Sequence, residues 1–162
     1  MGGKKKKDNK NEVNIRNKKA SFEFELLEKY EAGIQLTGQE IKSIREGKAS
    51  IKEAYCMFHK GELYVKNMHI SEYGHGRIEE HEPRRLRKLL LHKQELKKLG
   101  KKVKERGQTI VPIKLYIGKK GFAKLLIALA KGKQKHDKRE ALKRKDDKRQ
   151  MERAKKQYKM RG

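Results

Sequence analysis

Four cations fall within five residues at Arg84, Arg85, Arg87 and Lys88, directly ahead of the Leu89-Leu90-Leu91 run and His92. Guanidinium and ammonium groups at this density suit phosphate oxygens, and an apolar and imidazole surface behind them suits stacking on bases. The same stretch also reads as a solvated approach to a helix. Lys42, Arg45, Lys48 and Lys52 form a second cluster with the same two readings. Glu31 has the opposite character. A carboxylate among so many cations either pairs with one of them or accepts hydrogen bonds from base amino and imino groups.

Chemistry of other kinds finds little support. Tyr73 to Glu82 contains His75, His81, Glu79, Glu80 and Glu82. A divalent metal could take both histidines and a carboxylate. The spacing matches no H-E-x-x-H template, however, and Gly74 and Gly76 leave the segment too loose to hold ligands in place. It reads as a solvated acidic loop, with no metal site expected. The histidines form no pattern with a serine or cysteine nucleophile, and no phosphate-binding G-x-x-x-x-G-K-[ST] loop occurs. Cys56, the only cysteine, sits in a β-patterned run and reads as a core thiol. One cysteine allows neither an internal disulfide nor a cysteine-based zinc site. No catalytic residue and no cofactor are expected.

Charge points towards a polyanion. The 162 residues carry 46 Lys and Arg against 21 Asp and Glu, a formal charge of +25. Residues 131–162 supply +10 of it, and the basic extension at 1–12 supplies +3. The body at 13–130 is therefore basic in its own right, and it is long enough for one domain with one core. The tail is too poor in apolar residues to offset the entropy of ordering, which predicts disorder when free. Met151, Ala154 and Tyr158 at i, i+3 and i+7 permit a weakly amphipathic helix once an anionic groove neutralises the charge. No run approaches the roughly 20 apolar residues that span a bilayer, and Lys4 to Lys7 are not followed by the apolar stretch of a secretory signal. The expectation is a cytoplasmic monomer that does not bind membranes.

The elements that must position these residues are legible in outline. Phe22, Phe24 and Leu26 alternate with polar residues as in a strand, and Tyr30, Ala32, Ile34 and Leu36 continue the pattern past Gly33. Thr37-Gly38-Gln39-Glu40 is a capping box opening a short helix that Gly47 ends. Ala54 to Phe58 and Leu63 to Met68 flank Lys60-Gly61 as a hairpin. Leu96, Leu99 and Val103 mark one face of a helix over roughly His92 to Arg106, with Gly100 a weak point and Gly107 its stop. Thr109 to Ile117 follows as a strand in which Pro112 signals an edge or a bulge. Phe122 to Ala130 reads as a buried strand. Short non-repeating strands with two to three peripheral helices predict a mainly-β fold, a small closed antiparallel barrel of OB type.

The stretches NKKASFEF (17–24), YEAGIQLTGQEIKSIREGKASIKEAY (30–55), NMHISEY (67–73), RKLLLHKQEL (87–96) and LAKGKQKHDKRE (129–140) resemble the SmpB family, the protein partners of tmRNA in trans-translation. The resemblance implies an OB-like barrel that binds the tRNA-like domain of tmRNA and helps load it into a stalled ribosome. It implies that the tail enters the empty mRNA channel, orders as a helix and reports the absence of mRNA to the decoding centre. Glu31, Leu90 and His92 would face tmRNA, the family having Asn or His at the last of these. Lys42, Arg45, Arg87 and Lys88 are further candidates for that interface. Lys131, Gly132, Lys133, His136, Asp137, Lys138 and Arg139 match the functional tail motif, with His136 stacking on small-subunit rRNA. Gln134 departs from the lysine often found there.

The function expected is a non-enzymatic adaptor in ribosome rescue. The alternative is a general ribosome-associated or single-stranded RNA binder, and the rival from another class is a metal-dependent enzyme using the 75–82 loop.

Overall fold

Alternation of apolar and polar residues lays down most of the strands, and glycines end the helices between them. A computed structural model of the chain describes residues 13–73, 82–132 and 135–161. Strand β1 (Asn14–Arg16) and helix α1 (Ala20–Glu23) lead into β2 (Phe24–Ile34). Helix α2 (Gly38–Arg45), β3 (Ala49–Ser50), β4 (Tyr55–His59), β5 (Glu62–Lys66) and β6 (His69–Ile70) follow. Then come β7 (Arg87–Leu90), helix α3 (Lys93–Arg106), β8 (Thr109–Ile117), β9 (Ala123–Gly132) and helix α4 (Lys135–Arg161).

The strands close on themselves. β8 pairs with β4, then β5, β7, β2 and β9 follow in order, and β9 returns to β8, every pairing antiparallel. β1 adds to β8 beside this ring, and β3 and β6 form a separate pair. The molecule is thus a mainly-β ring of strands with four helices among the described residues, three on the body and one in the tail. Closure leaves the ring strands few free edges. Leu63, Val65, Leu89, Leu125 and Ile127 fill the interior with Ile44 of α2 and Leu99 of α3. Each such side chain contributes roughly 1.5–3 kcal/mol by burial. Cys56 is buried among them, and burial pushes its thiol pKa up.

Local signals build the elements as their spacing predicts. The Thr37 hydroxyl accepts from the Glu40 amide at 3.3 Å, and the Thr37 amide donates to Glu40 Oε1 at 3.0 Å. Gly47 at φ +74 ends α2, with Lys48 N–H donating to Ser43 O and Gly47 N–H to Ile44 O. That is the pair of bonds a left-handed glycine makes at a helix end. Lys60 (φ 49) and Gly61 (φ 77) turn β4 into β5, the positive pair a tight hairpin requires. Pro112 coincides with a register shift between β8 and β9. This is a bulge, and β8 is not an edge, since it has neighbours on both sides.

Two expectations change. Ser21 to Glu23 is not strand: Glu23 N–H donates to Lys19 O at 2.9 Å, and buried Ala20 packs with Val111 and Ala130. That packing turns the chain into α1 and delays the strand to Phe24. Phe122 is 68% exposed, because Gly118 N–H donates to its carbonyl and makes it the closing residue of the Gly118–Gly121 turn. In the tail, Lys135–Arg161 form one helix. It lacks Gly and Pro, and Glu152–Lys156 carries the favourable i, i+4 order. Intrinsic propensity therefore compensates for its missing apolar face.

Helix α3 is anchored on β2 by charge as well as by Leu99. Glu28 accepts from Lys102 and from the Tyr30 hydroxyl, with Lys98 at 3.9 Å. Those bonds hold its carboxyl at about 2, and burial with Glu28 pushes Tyr30 up to about 12. Gly100 of α3 faces Phe58, and an added Cβ would lie 3.8 Å from the Phe58 ring, an ordinary contact. Gly100→Ala should therefore stabilise the protein by about 0.5–1 kcal/mol, seen as a higher urea midpoint with an unchanged slope.

Candidate nucleic-acid interface

Strand register brings the predicted residues together. Gly33 in β2 lies opposite Leu90 of β7 on one side and Lys124 of β9 on the other. Lys124 in turn lies opposite Tyr116 of β8. The neighbouring row runs from Glu31 through Leu126 to Lys114. Side chains directly opposite, and those two residues along, share one face of a sheet. Two cross-strand rows thus build one outer surface from residues up to 95 positions apart, Glu31 to Leu126.

A cleft of about 590 Å³ opens on this surface, lined by Glu31, Gly33, Leu90, Leu91, His92, Glu95 and Lys124. Glu31 and Leu90 are exposed, Leu90 by 51%. His92 caps α3 without a side-chain capping bond, and its imidazole is 90% exposed, 4.0 Å from Glu95. Gly33 has a steric task here. A Cβ would meet Leu90 Cβ at 3.3 Å, so the missing side chain lets Leu90 lie close over β2. The Tyr116 hydroxyl donates to Glu31, and burial together with that bond pushes Tyr116 up to about 12. Lys114 stands 5.0 Å over the Tyr116 ring. The result is an oriented acceptor, an apolar side chain and an imidazole within a cationic frame.

The other candidates divide. Lys42 and Arg45 are exposed on the last turn of α2. Lys42 lies 5.5 Å over the Tyr73 ring, and Arg45 donates to Gly121 O at 3.2 Å, tying α2 to the β8–β9 turn. A neighbouring hollow contains Ile34, Leu36, Ile41, Arg45, Lys120 and Phe122. Lys88 is half-buried, 3.7 Å from Glu62. Lys131 and Gly132, the first residues of the tail as read from the sequence, close β9 opposite Glu25 and Phe24 and are exposed. His136, Asp137, Lys138 and Arg139 lie in the opening residues of α4. Arg139 is exposed, and the side chains of the other three fall outside the described set, as do Lys133, Gln134 and loop residues 74–81.

Arg87 does not reach this surface. It is fully buried, with its Nε on Glu40 Oε2 and its other nitrogens on the carbonyls of Met68, Arg85 and Pro83. Arg85 binds the other Glu40 oxygen. The guanidinium of Arg87 is thus not available to a phosphate. Burial alone would raise the Glu40 pKa, but the hydrogen bonds from Arg85, the Thr37 amide and Arg87 outweigh it and hold the carboxyl below its ordinary value. The signal was present in the sequence: Arg87 is in phase with Leu89, and β7 alternates buried with more exposed positions.

Residues 14–157 match the SmpB protein family. The chain belongs to the SmpB family. It is 60% identical over 141 residues to the SsrA-binding protein of Phocaeicola vulgatus, covering 87% of this chain and 94% of that one. The SsrA-binding protein of Nostoc sp. is 53% identical over 143 residues, covering 88% and 92%. A solved tmRNA–SmpB structure, described as a journey to the center of the bacterial ribosome, superposes with a TM-score of 0.64 at 44% identity, covering 80% of this chain and 94% of that one. In this SmpB chain, Lys124, Tyr116 and Phe122 belong to the surface, although their sequence context marks them only as strand residues. The signal for Lys124 and Tyr116 is their place in the alternation; for exposed Phe122 it is the preceding glycine turn.

Proposed function

We propose that this chain is a non-enzymatic adaptor of trans-translation. It binds the tRNA-like domain of tmRNA, delivers it to stalled ribosomes and uses its tail to sense the empty mRNA channel. The observation that carries the reading is the convergence of Glu31, Leu90 and His92, far apart in the chain, on one cleft beside Lys124. On this reading the ring of strands is a small OB-like barrel whose outer face meets RNA. The body comprises residues 13–130 and the arm 131–162. Glu31, held by Tyr116, accepts from base donors, Leu90 and His92 provide the stacking surface, and Lys42, Arg45 and Lys88 flank it. Lys131, Gly132, Lys133, His136, Asp137, Lys138 and Arg139 act on the ribosome.

Titration against the tRNA-like domain of tmRNA and against an elongator tRNA at physiological salt tests this. The expected preference is about tenfold or more, or about 1.4 kcal/mol. Glu31→Ala should weaken tmRNA binding although it makes the protein more positive. Equal binding of the two RNAs would make the protein a general RNA binder held by charge, and tighter binding by Glu31→Ala would remove that residue from the interface.

A further inference from the structure

The outer face does not end at the Glu31 cleft. Leu126 and Lys114, which continue the Glu31 row across β9 and β8, also line a second crevice of about 830 Å³. Its body wall carries Arg16, Lys18, Lys29 and Lys114, and its opposite wall is the tail helix α4, with Arg144, Lys145 and Arg149. No carboxylate lines it among the described residues. Lys29 lies two residues from Glu31 on the same face of β2, about 7 Å along the strand. Phe22 of α1 supplies an aromatic surface between the walls.

Two cationic walls repel each other unless an anion lies between them. Their chemistry is that of a groove that follows a nucleic-acid backbone, with an aromatic side chain for a base. We propose that this crevice is a clamp for one RNA strand. Its phosphates are gripped on one side by Lys29 and Lys114 and on the other by Lys145 and Arg149, continuous with the Glu31 cleft. Phe22 between the walls offers a stacking face for an unpaired base, which a single strand supplies and a duplex does not. The inference rests on the tmRNA reading only for the neighbouring cleft, and it assigns a site and a ligand class of its own.

The test is fluorescence anisotropy of labelled decauridylate with the full chain at physiological salt. Lys29→Glu with Lys114→Glu should weaken binding about tenfold, as should Lys145→Glu with Arg149→Glu. All four together should cost less than the product of the two pairs, because one strand bridges both walls. The same charge change at exposed Lys97 and Lys101 of α3 should have a much smaller effect. Equal losses from the α3 control, or strictly multiplicative losses from the two walls, would overturn the clamp. A decauridylate–decaadenylate duplex binding as tightly would overturn the single-strand assignment. Glu31→Ala separates the two sites. It should leave decauridylate binding within about twofold while weakening the tRNA-like domain. Loss of decauridylate through Glu31 and not through the walls would sink the clamp. An unaffected tRNA-like domain, with the walls still controlling decauridylate, would sink the tmRNA cleft and leave the clamp standing.

Discussion

Arg87→Ala should destabilise the protein by about 3–5 kcal/mol, the usual loss when one partner of a buried ion pair is removed. Glu40 is 1% exposed, and without Arg87 its carboxylate would remain inside with Arg85 alone to compensate. The carbonyls of Met68 and Pro83 would also lose their Arg87 donor. Such a loss is a large share of the 5–15 kcal/mol that holds a domain of this size. Glu40→Gln keeps a side chain able to close the capping box, but leaves Arg87 charged without its anion. It should therefore also destabilise, and the double variant Glu40→Gln/Arg87→Ala should cost less than the sum of the singles. Urea unfolding of the three variants checks this, and additive losses would mean that the two side chains act separately.

The same pair gives a pH dependence of defined sign. Glu40 is held below its ordinary value of 4.5 in the folded protein. The stability it contributes is therefore complete above about pH 4.5 and is lost as the pH falls through the depressed folded value. Glu28 behaves alike, down to about 2. The melting temperature should fall as the solution is acidified below 4.5, and Glu40→Gln should flatten that decline.

Ending the chain after Gly132 should leave affinity for the tRNA-like domain nearly intact and abolish peptide tagging on stalled ribosomes. The cut belongs after Gly132, since Lys131 and Gly132 complete the pairing of β9 with β2. Both apolar clusters lie within residues 13–132, so the shortened chain keeps its core. The Glu31 cleft is built from β2, β7, α3 and β9, without any residue of α4. Tagging assays and RNA titration on the same preparation separate the two roles. Retained tagging would remove the tail from the mechanism.

Much of this architecture was legible because its signals are local. Thr37 and Glu40 lie three residues apart, Lys60-Gly61 makes its own turn, and Gly47 and Gly107 adopt positive φ beside the helices they end. The basic arm and the absence of a nucleophile pattern are properties of composition. The SmpB resemblance marked Glu31, Leu90 and His92 individually. Only the tertiary structure decided which of the cations face solvent. Arg87 and Lys88 are adjacent and chemically similar, yet one is sealed against Glu40, 47 residues away, and the other stays half-exposed beside Glu62. Whether a charge is buried depends on the partner that compensates it, and no window of neighbouring residues contains that partner. Ring closure is likewise non-local. It alone sets Glu31 beside Tyr116, Gly33 beneath Leu90, and Lys29 beside the same crevice as Lys114.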